Sequence, residues 1–419
     1  MNFMSILSIV FLIVVVIIGF ARKINMGLLA IGFALILGKI AGMSDMDIIS
    51  GFSYSMFLML MGVTFLFGIA QENGTLEVIT KKAIALVGKR TYLIPLILYV
   101  LSVVLAAIGP GNIPVGVLMA VFAINIAIQM DVNPIPFATL VMFGANAGSL
   151  SPIANSGIIA MNLGEQIGRP ELVYPIWFSF VATSFLFCCI LYFVFKCHKI
   201  RSDNPVKMSE TPKFTKNHVI TVLAILVMIV CVALLKFNVG LTAFLIGAIL
   251  LIIKVGDEGK ALAKVPWGTM ILVCGVGVLM NAIAYCGGVD LISNGLRTVM
   301  GERTAAPIMA AISAVMSFFS STTGVVMPAL IPTLDSISVL FGGTVTLAEL
   351  ACAVVATSFA TAGISPISVG GGIALSTYTT AVEGDKEKTH KMFRDLFIVS
   401  ICGAVFGIIL AALGFYKLF

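Results

Sequence analysis

Long apolar runs, broken at intervals by polar or glycine-rich phrases, set the pattern of this chain from end to end. Phe3 to Phe20, Met26 to Met43, Phe52 to Ala70, Trp177 to Val194, Val219 to Leu235 and Phe397 to Leu413 carry almost no charge. Each is roughly as long as a helix that crosses about 30 Å of hydrocarbon, so each predicts a spanning helix. The first run has no basic segment before it and no small-residue cleavage site, which predicts a spanning helix and not a removable leader. Other apolar stretches are interrupted. Gly109-Pro110-Gly111-Asn112 and Ser320-Ser321-Thr322-Thr323-Gly324 each turn two apolar arms into a hairpin, while Gly148 to Gly157 and Thr361 to Gly372 cut through otherwise continuous helices.

The interruptions repeat. Ser151-Pro152-Ile153 returns as Ser365-Pro366-Ile367, and each copy follows an earlier proline, Pro114 or Pro328, by the same 38 residues. Gly74 to Thr91 aligns with Gly287 to Thr304 at an offset of 213, and the Ser-Pro pair is offset by 214. Such constant displacement marks an internal duplication. The first copy predicts helices over 3–20, 26–43, 52–71 and 75–89, a hairpin over 91–130, a broken helix over 136–165 and a last helix over 172–196. The second predicts 218–236, 239–254, 267–286 and 289–301, a hairpin over 304–341, a broken helix over 347–380 and a last helix over 393–416. A hairpin adds an even number of crossings, so each copy crosses an odd number of times and the second is inverted. The expected fold is an all-α polytopic membrane protein of two inverted-topology repeats, each with a re-entrant helical hairpin and a broken helix, and about 10 spanning helices. Residues 1–198 form the first repeat (scaffold 1–90, transport part 91–198), 199–217 a cytoplasmic linker, and 218–419 the second repeat (scaffold 218–303, transport part 304–419).

Composition agrees: at 60% hydrophobic and 11% charged residues over 419, there is too little polar surface to cover a water-soluble globule. The net charge of +6 does not predict nucleic-acid binding, because the basic residues flank apolar runs and are not interleaved with exposed aromatics. They report orientation instead. With the linker inside, the clusters at Arg22 and Lys23, at Lys81 to Arg90, at Lys196 to Lys216, at Lys254 to Lys264 and at Lys386 to Arg394 all fall inside. Only Lys39, Arg169, Lys236, Arg297, Arg303 and Lys417 stay outside, which predicts both termini on the extracytoplasmic face of a cell inner membrane. The eight cysteines lack metal or redox spacing and read as small apolar filler.

Candidate chemistry lies in the interruptions. Irregular backbone at membrane depth needs protein, water, an ion or a ligand to satisfy its freed N–H and C=O groups. Asn146, Ser149, Ser151, Asn155 and Ser156 offer neutral oxygens around the first break, and Thr361, Ser365 and Ser368 around the second. Such oxygens suit a hard cation such as Na+, and no His/Cys/Asp/Glu cluster suits a transition metal. Helices restarting after the breaks turn partial positive ends inward, which favours an anion, yet no Arg or Lys falls within any interruption. Small residues also allow tight helix packing, but four such interruptions in symmetry point to a transporter's paired broken helices. An enzyme would need a nucleophile with a base, or a metal cluster, at membrane depth, and the histidines, His198, His218 and His390, map to loops and helix ends. A passive channel fits discontinuous paired helices less well than an occluding carrier. Asp335, the one acidic residue well inside a hairpin arm, could carry a proton relay, but it lies eleven residues beyond Gly324 toward the arm's outer end, which favours a capped or water-facing carboxylate.

The phrases GANAGSLSPIANSG (Gly144 to Gly157), SSTTGVVMPALIP (Ser320 to Pro332) and TAGISPISVGGG (Thr361 to Gly372) resemble MatC-type dicarboxylate carriers, permeases of the divalent anion:sodium symporter group in the ion transporter superfamily. The resemblance spans both halves. It implies a homodimeric scaffold with a mobile transport domain, elevator-like alternating access, and sodium-driven uptake of dicarboxylates such as succinate, malate or malonate. It places one cation site at Gly111, Asn112, Ser149, Ser151 and Asn155, and a second at Thr322, Thr323, Thr361, Ser365 and Ser368. Asn112, Ser151, Asn155, Thr322, Thr323 and Ser365 are the candidates for the organic anion. No cofactor is expected beyond Na+ as coupling ion. Sodium–dicarboxylate members carry Ser-Asn-Thr at both hairpin tips, whereas these tips read Gly-Pro-Gly-Asn and Ser-Ser-Thr-Thr. A citrate, hydroxy-acid or inorganic-anion carrier, coupled to H+ through Asp335, therefore stays open as the alternative.

Overall fold

The structure, a computed structural model, describes residues 3–85, 90–201, 212–297 and 299–419. Lys89, Lys207 and most of the linker, including Asp203, Asn204 and Pro205, lie outside the described residues. In the first repeat, α1 (Phe3–Arg22), α2 (Met26–Ile40), α3 (Asp45–Ile49), α4 (Tyr54–Glu72) and α5 (Thr75–Ala85) lead to a hairpin, α6 (Ile94–Ala107) and α7 (Asn112–Gln129). A broken pair follows, α8 (Pro134–Ser149) and α9 (Asn155–Gln166), and then α10 (Val173–Val194). The second repeat runs through α11 (Lys216–Leu235), α12 (Val239–Ile252), α13 (Glu258–Ala263), α14 (Trp267–Tyr285) and α15 (Gly288–Arg297). Its hairpin is α16 (Ala305–Phe319) and α17 (Met327–Leu340), its broken pair α18 (Leu347–Ala362) and α19 (Val369–Ala381), and its last helix α20 (Lys386–Ala412). Among the described residues every regular element is helical. Among the described residues six stretches are long and apolar enough to span a bilayer alone, and shorter apolar helices accompany them. The chain is a polytopic all-α membrane protein.

The duplication has a physical counterpart in how the repeats interlock. α2 packs on α14, and its image α12 packs on α4. Both crossings are glycine to glycine: Gly275 lies against the carbonyl of Gly27, and Gly62 against that of Gly240, each leaving no room for a Cβ. These positions are images at an offset of 213. Close backbone approach through small residues is the usual way for helices to pack in lipid, where burial of apolar surface supplies little driving force. The caps repeat too, since Asn25 opens α2 by accepting from the Gly27 N–H and Asn238 opens α12 by accepting from the Leu241 N–H. At the corners, Ser5 Oγ donates to the Cys286 carbonyl (2.8 Å) and its image His218 places Nε2 3.0 Å from the Asn73 carbonyl. His218 Nδ1 accepts from the Thr215 N–H, so the neutral ring donates through Nε2.

The offset of 213 holds up to Thr91 and Thr304 and becomes 214 by Pro114 and Pro328, so the second repeat carries one extra residue in its hairpin. A π-helical turn at Thr322–Val326 lies within that interval and has no counterpart in the first repeat. A π turn holds one residue more than an α turn, which is how a helix absorbs a single insertion. The hairpin arm α6, at 14 residues or ~21 Å, is too short to cross the hydrocarbon alone. It packs on both α7 and α8, so the hairpin tip at Gly109 to Gly111 ends beside the break between α8 and α9.

Candidate functional site

Both breaks are closed by local chemistry that follows from their sequences. After Ser151 and after Ser365 the chain restarts a helix within a few residues, and Gly157 and Gly371, six residues on, press against the carbonyls of Ser151 and Ser365 with no room for a side chain. Ser368 caps α19 by accepting from the Gly371 N–H and donates to the Ser365 carbonyl (2.7 Å). Ala154, its image, cannot cap α9, and Asn155 Oδ1 takes the Ser156 N–H instead (2.7 Å).

The first cluster is an amide network. Asn155 Nδ2 donates to Asn112 Oδ1 (3.3 Å), and Asn112 Nδ2 donates to Asn146 Oδ1 (2.8 Å). Gly111, at φ 80°, precedes Asn112 with Asn155 Oδ1 directly against it, a position only glycine fills without strain. Ser149 Oγ donates to the Asn146 carbonyl (2.8 Å) and lies 2.9 Å from Ser156 Oγ, while Ser151 Oγ donates to the Ala107 carbonyl (2.7 Å) and ties the break to the end of α6. The second cluster is made of hydroxyls. Ser358 Oγ donates to Thr322 Oγ1 (2.8 Å), Ser321 caps the π turn by accepting from the Gly324 N–H, and Ser321 Oγ sits 3.3 Å from Thr323 Oγ1. Thr361 Oγ1 donates to the Thr357 carbonyl (2.8 Å). Ser365 Oγ is fully buried and has no hydrogen-bond partner among the described residues. An orphaned buried hydroxyl is costly unless something satisfies it, and hydroxyl and carbonyl oxygens such as those of Ser365 and Ser368 are of the kind a hard cation such as Na+ takes.

A cavity of about 410 Å³ lies where the two repeats meet. From the first repeat it takes Asn112, Met142 and Asn146, and from the second Ser320 to Thr323, Gly363, Ser368 and Gly370. Asn25 and Met26 between α1 and α2, and Gly268, Thr269 and Leu272 on α14, close its other wall. No residue lining it carries a charge. Asn112, Thr322, Thr323 and Ser368 therefore reach the cavity, whereas Gly111, Ser149, Ser151, Asn155, Thr361 and Ser365 stand behind its wall. At the cavity the repeats meet at Asn146 and Gly363, where an added Cβ would come 2.8 Å from Asn146 Nδ2. Glycine at position 363 could have been noticed in the sequence, but not its partner 217 residues away. Asp335 is exposed and outside the lining. The buried carboxylate is Glu349, 3% exposed, with Lys417 Nζ 3.9 Å away. Among the described residues no His/Cys/Asp/Glu group is arranged to hold a metal.

An all-helical membrane protein whose broken helices surround an uncharged, largely apolar cavity with a few amides and hydroxyls at the breaks has the architecture of a carrier. Residues 2–149 match the family model described as the N-terminus of the dicarboxylate carrier protein MatC, a match that ends at Ser149, the last residue of α8. The match covers about a third of the chain and supports a MatC-type dicarboxylate carrier, a multi-pass membrane transporter. No curated protein matches the chain.

Proposed function

We propose that this chain is a secondary active transporter that imports small organic dianions of three or four carbons together with Na+, by an elevator-type movement. The observation that carries the reading is the cavity of about 410 Å³ between the repeats, lined by amides, hydroxyls and the start of α19 but by no charged residue. Its size falls in the ~300–1,000 Å³ range of small-molecule sites. With no lysine or arginine to neutralise a dianion, helix ends, amide and hydroxyl donors and a bound cation are left to do so. Ser365, Thr322, Thr361 and Ser368 would hold that ion, which would bring positive charge beside the substrate.

The elevator reading draws support from register. Gly109, at the first tip, lies against Phe67 of α4, and Gly324, at the second, against Leu272 of α14. The images of Phe67 and Leu272 are Met280 and Met59, eight residues away along α14 and α4, or about 12 Å. Exchange of the repeats' roles would carry both tips that distance. Phe67 and Leu272 sit toward the basic ends of their helices, which by the charge bias makes this the inward-facing position. On the same bias the termini are extracytoplasmic in the inner membrane, and the scaffold helices are expected to pair with a second copy.

Counterflow in proteoliposomes across malonate, succinate, malate and citrate, with and without a Na+ gradient, tests the reading. Na+-stimulated exchange of a C3 or C4 dicarboxylate is expected, and its absence across the panel overturns the coupling. Proton coupling through Asp335 would appear as a pH dependence abolished by Asp335→Asn, but an exposed carboxylate outside the cavity gives that reading little support.

A further inference from the structure

We propose that Asn146 supplies the hydrogen-bond donor that binds one carboxylate of the dianion, and that Asn112 and Asn155 act as positioning residues fixing the direction in which its amide faces. The inference rests on the dicarboxylate reading and adds to it the residue that recognises the substrate.

The direction of the amides follows from one donor that cannot turn round. The Ser156 backbone N–H donates to Asn155 Oδ1, so Asn155 must present its Nδ2 to Asn112. Asn112 then receives through Oδ1 and donates through Nδ2 to Asn146 Oδ1. Asn146 is left with its Nδ2 on the side of the cavity and of Gly363. Among the described residues no protein acceptor pairs with that Nδ2, although the residue is only 3% exposed. Reversing any amide in the row would set oxygen against oxygen or N–H against N–H. Successive donors also polarise one another, which strengthens the terminal N–H toward an anion.

The second repeat cannot supply the same group, because the image of Asn146 at an offset of 214 is Ala360. The donor is therefore single and off the symmetry axis. It explains why an amide, rather than a charged side chain, occupies the meeting point of the repeats: a lysine there would face the cation expected at the hydroxyl cluster. Gly363 completes the arrangement by keeping that side of the amide open.

The test uses the full chain in proteoliposomes, with initial rates of malonate and succinate uptake. For Asn146→Ala, KM is expected to rise about 10- to 100-fold, the range for one lost hydrogen bond to a charged group, with Vmax within about twofold. Asn112→Asp, whose carboxylate can only accept and so turns the Asn146 amide to point its Oδ1 at the cavity, is expected to raise KM at least as much as Asn146→Ala. Asn146→Gln moves the donor about one methylene further into the cavity and is expected to shift preference from succinate toward malonate. If Asn146→Ala fails to assemble, the Asn146→Gln preference decides alone. A KM for Asn146→Ala within about threefold of the parent, or an unchanged malonate-to-succinate ratio for Asn146→Gln, overturns the assignment while leaving the transport reading intact. A parent protein that moves neither anion overturns both.

Discussion

Ser151 and Ser365 hold equivalent places in the two repeats yet differ in what they touch. Ser151 spends its proton on the Ala107 carbonyl, whereas Ser365 has no partner among the described residues. Ser151→Ala is therefore expected to lower stability by about 1 kcal/mol, the usual net worth of a hydrogen bond, with little change in the Na+ dependence of uptake. Ser365→Ala has no internal bond to lose and is expected to leave thermal unfolding in detergent unchanged, while the Na+ concentration for half-maximal uptake rises about tenfold, as befits one lost ligand. An unaltered Na+ titration for Ser365→Ala would remove it from the ion site. At this scale the sequence located the helix breaks, because proline, serine and glycine within an apolar run announce freed backbone wherever they occur. It could not rank the residues inside those phrases. Whether Ser365 or Asn146 reaches the cavity depends on contacts between segments some two hundred residues apart, and no local pattern records them.

Among the elements, the boundaries that hydrophobic periodicity could see agree with the helices that form. Those it missed were set by polar chemistry. α3 and α13 are too short to show a period and start from the caps Ser44 and Asp257, and α20 begins at Lys386, seven residues before the expected start at 393, because Asp385 accepts from the Glu387 and Lys388 N–H groups. The two glycine crossings yield a paired prediction. Gly27→Leu and Gly240→Leu each force α2 from α14 or α12 from α4, and overpacking of this kind costs at least ~1–3 kcal/mol. Each variant is expected to shift the melting temperature down in detergent, and by similar amounts, since the positions are images. Loss from one variant alone would mean that the two crossings, though alike in geometry, do not share the stability of the fold.

For the whole molecule, the eight-residue displacement of both hairpin tips is the quantity to measure. In a background with the native cysteines replaced, Gly324→Cys with Leu272→Cys is expected to be bridged by Hg2+ in the position described here. Gly324→Cys with Met280→Cys is expected to be bridged only after the tips have moved by about 12 Å. Added dianion and Na+ should change the ratio of the two products, and failure of the Met280 pair to react under any transporting condition would exclude that movement. Two identical inverted repeats would make the two end positions equal in energy. The extra residue held in the π turn at Thr322–Val326 removes that equality, since only one tip contains it and that tip meets α14. It adds to the side-chain differences between the repeats, and on the elevator reading proposed above the empty carrier is expected to have a preferred resting side. Its apparent affinity for the same dianion is therefore expected to differ between the two faces of the membrane even when no gradient is imposed.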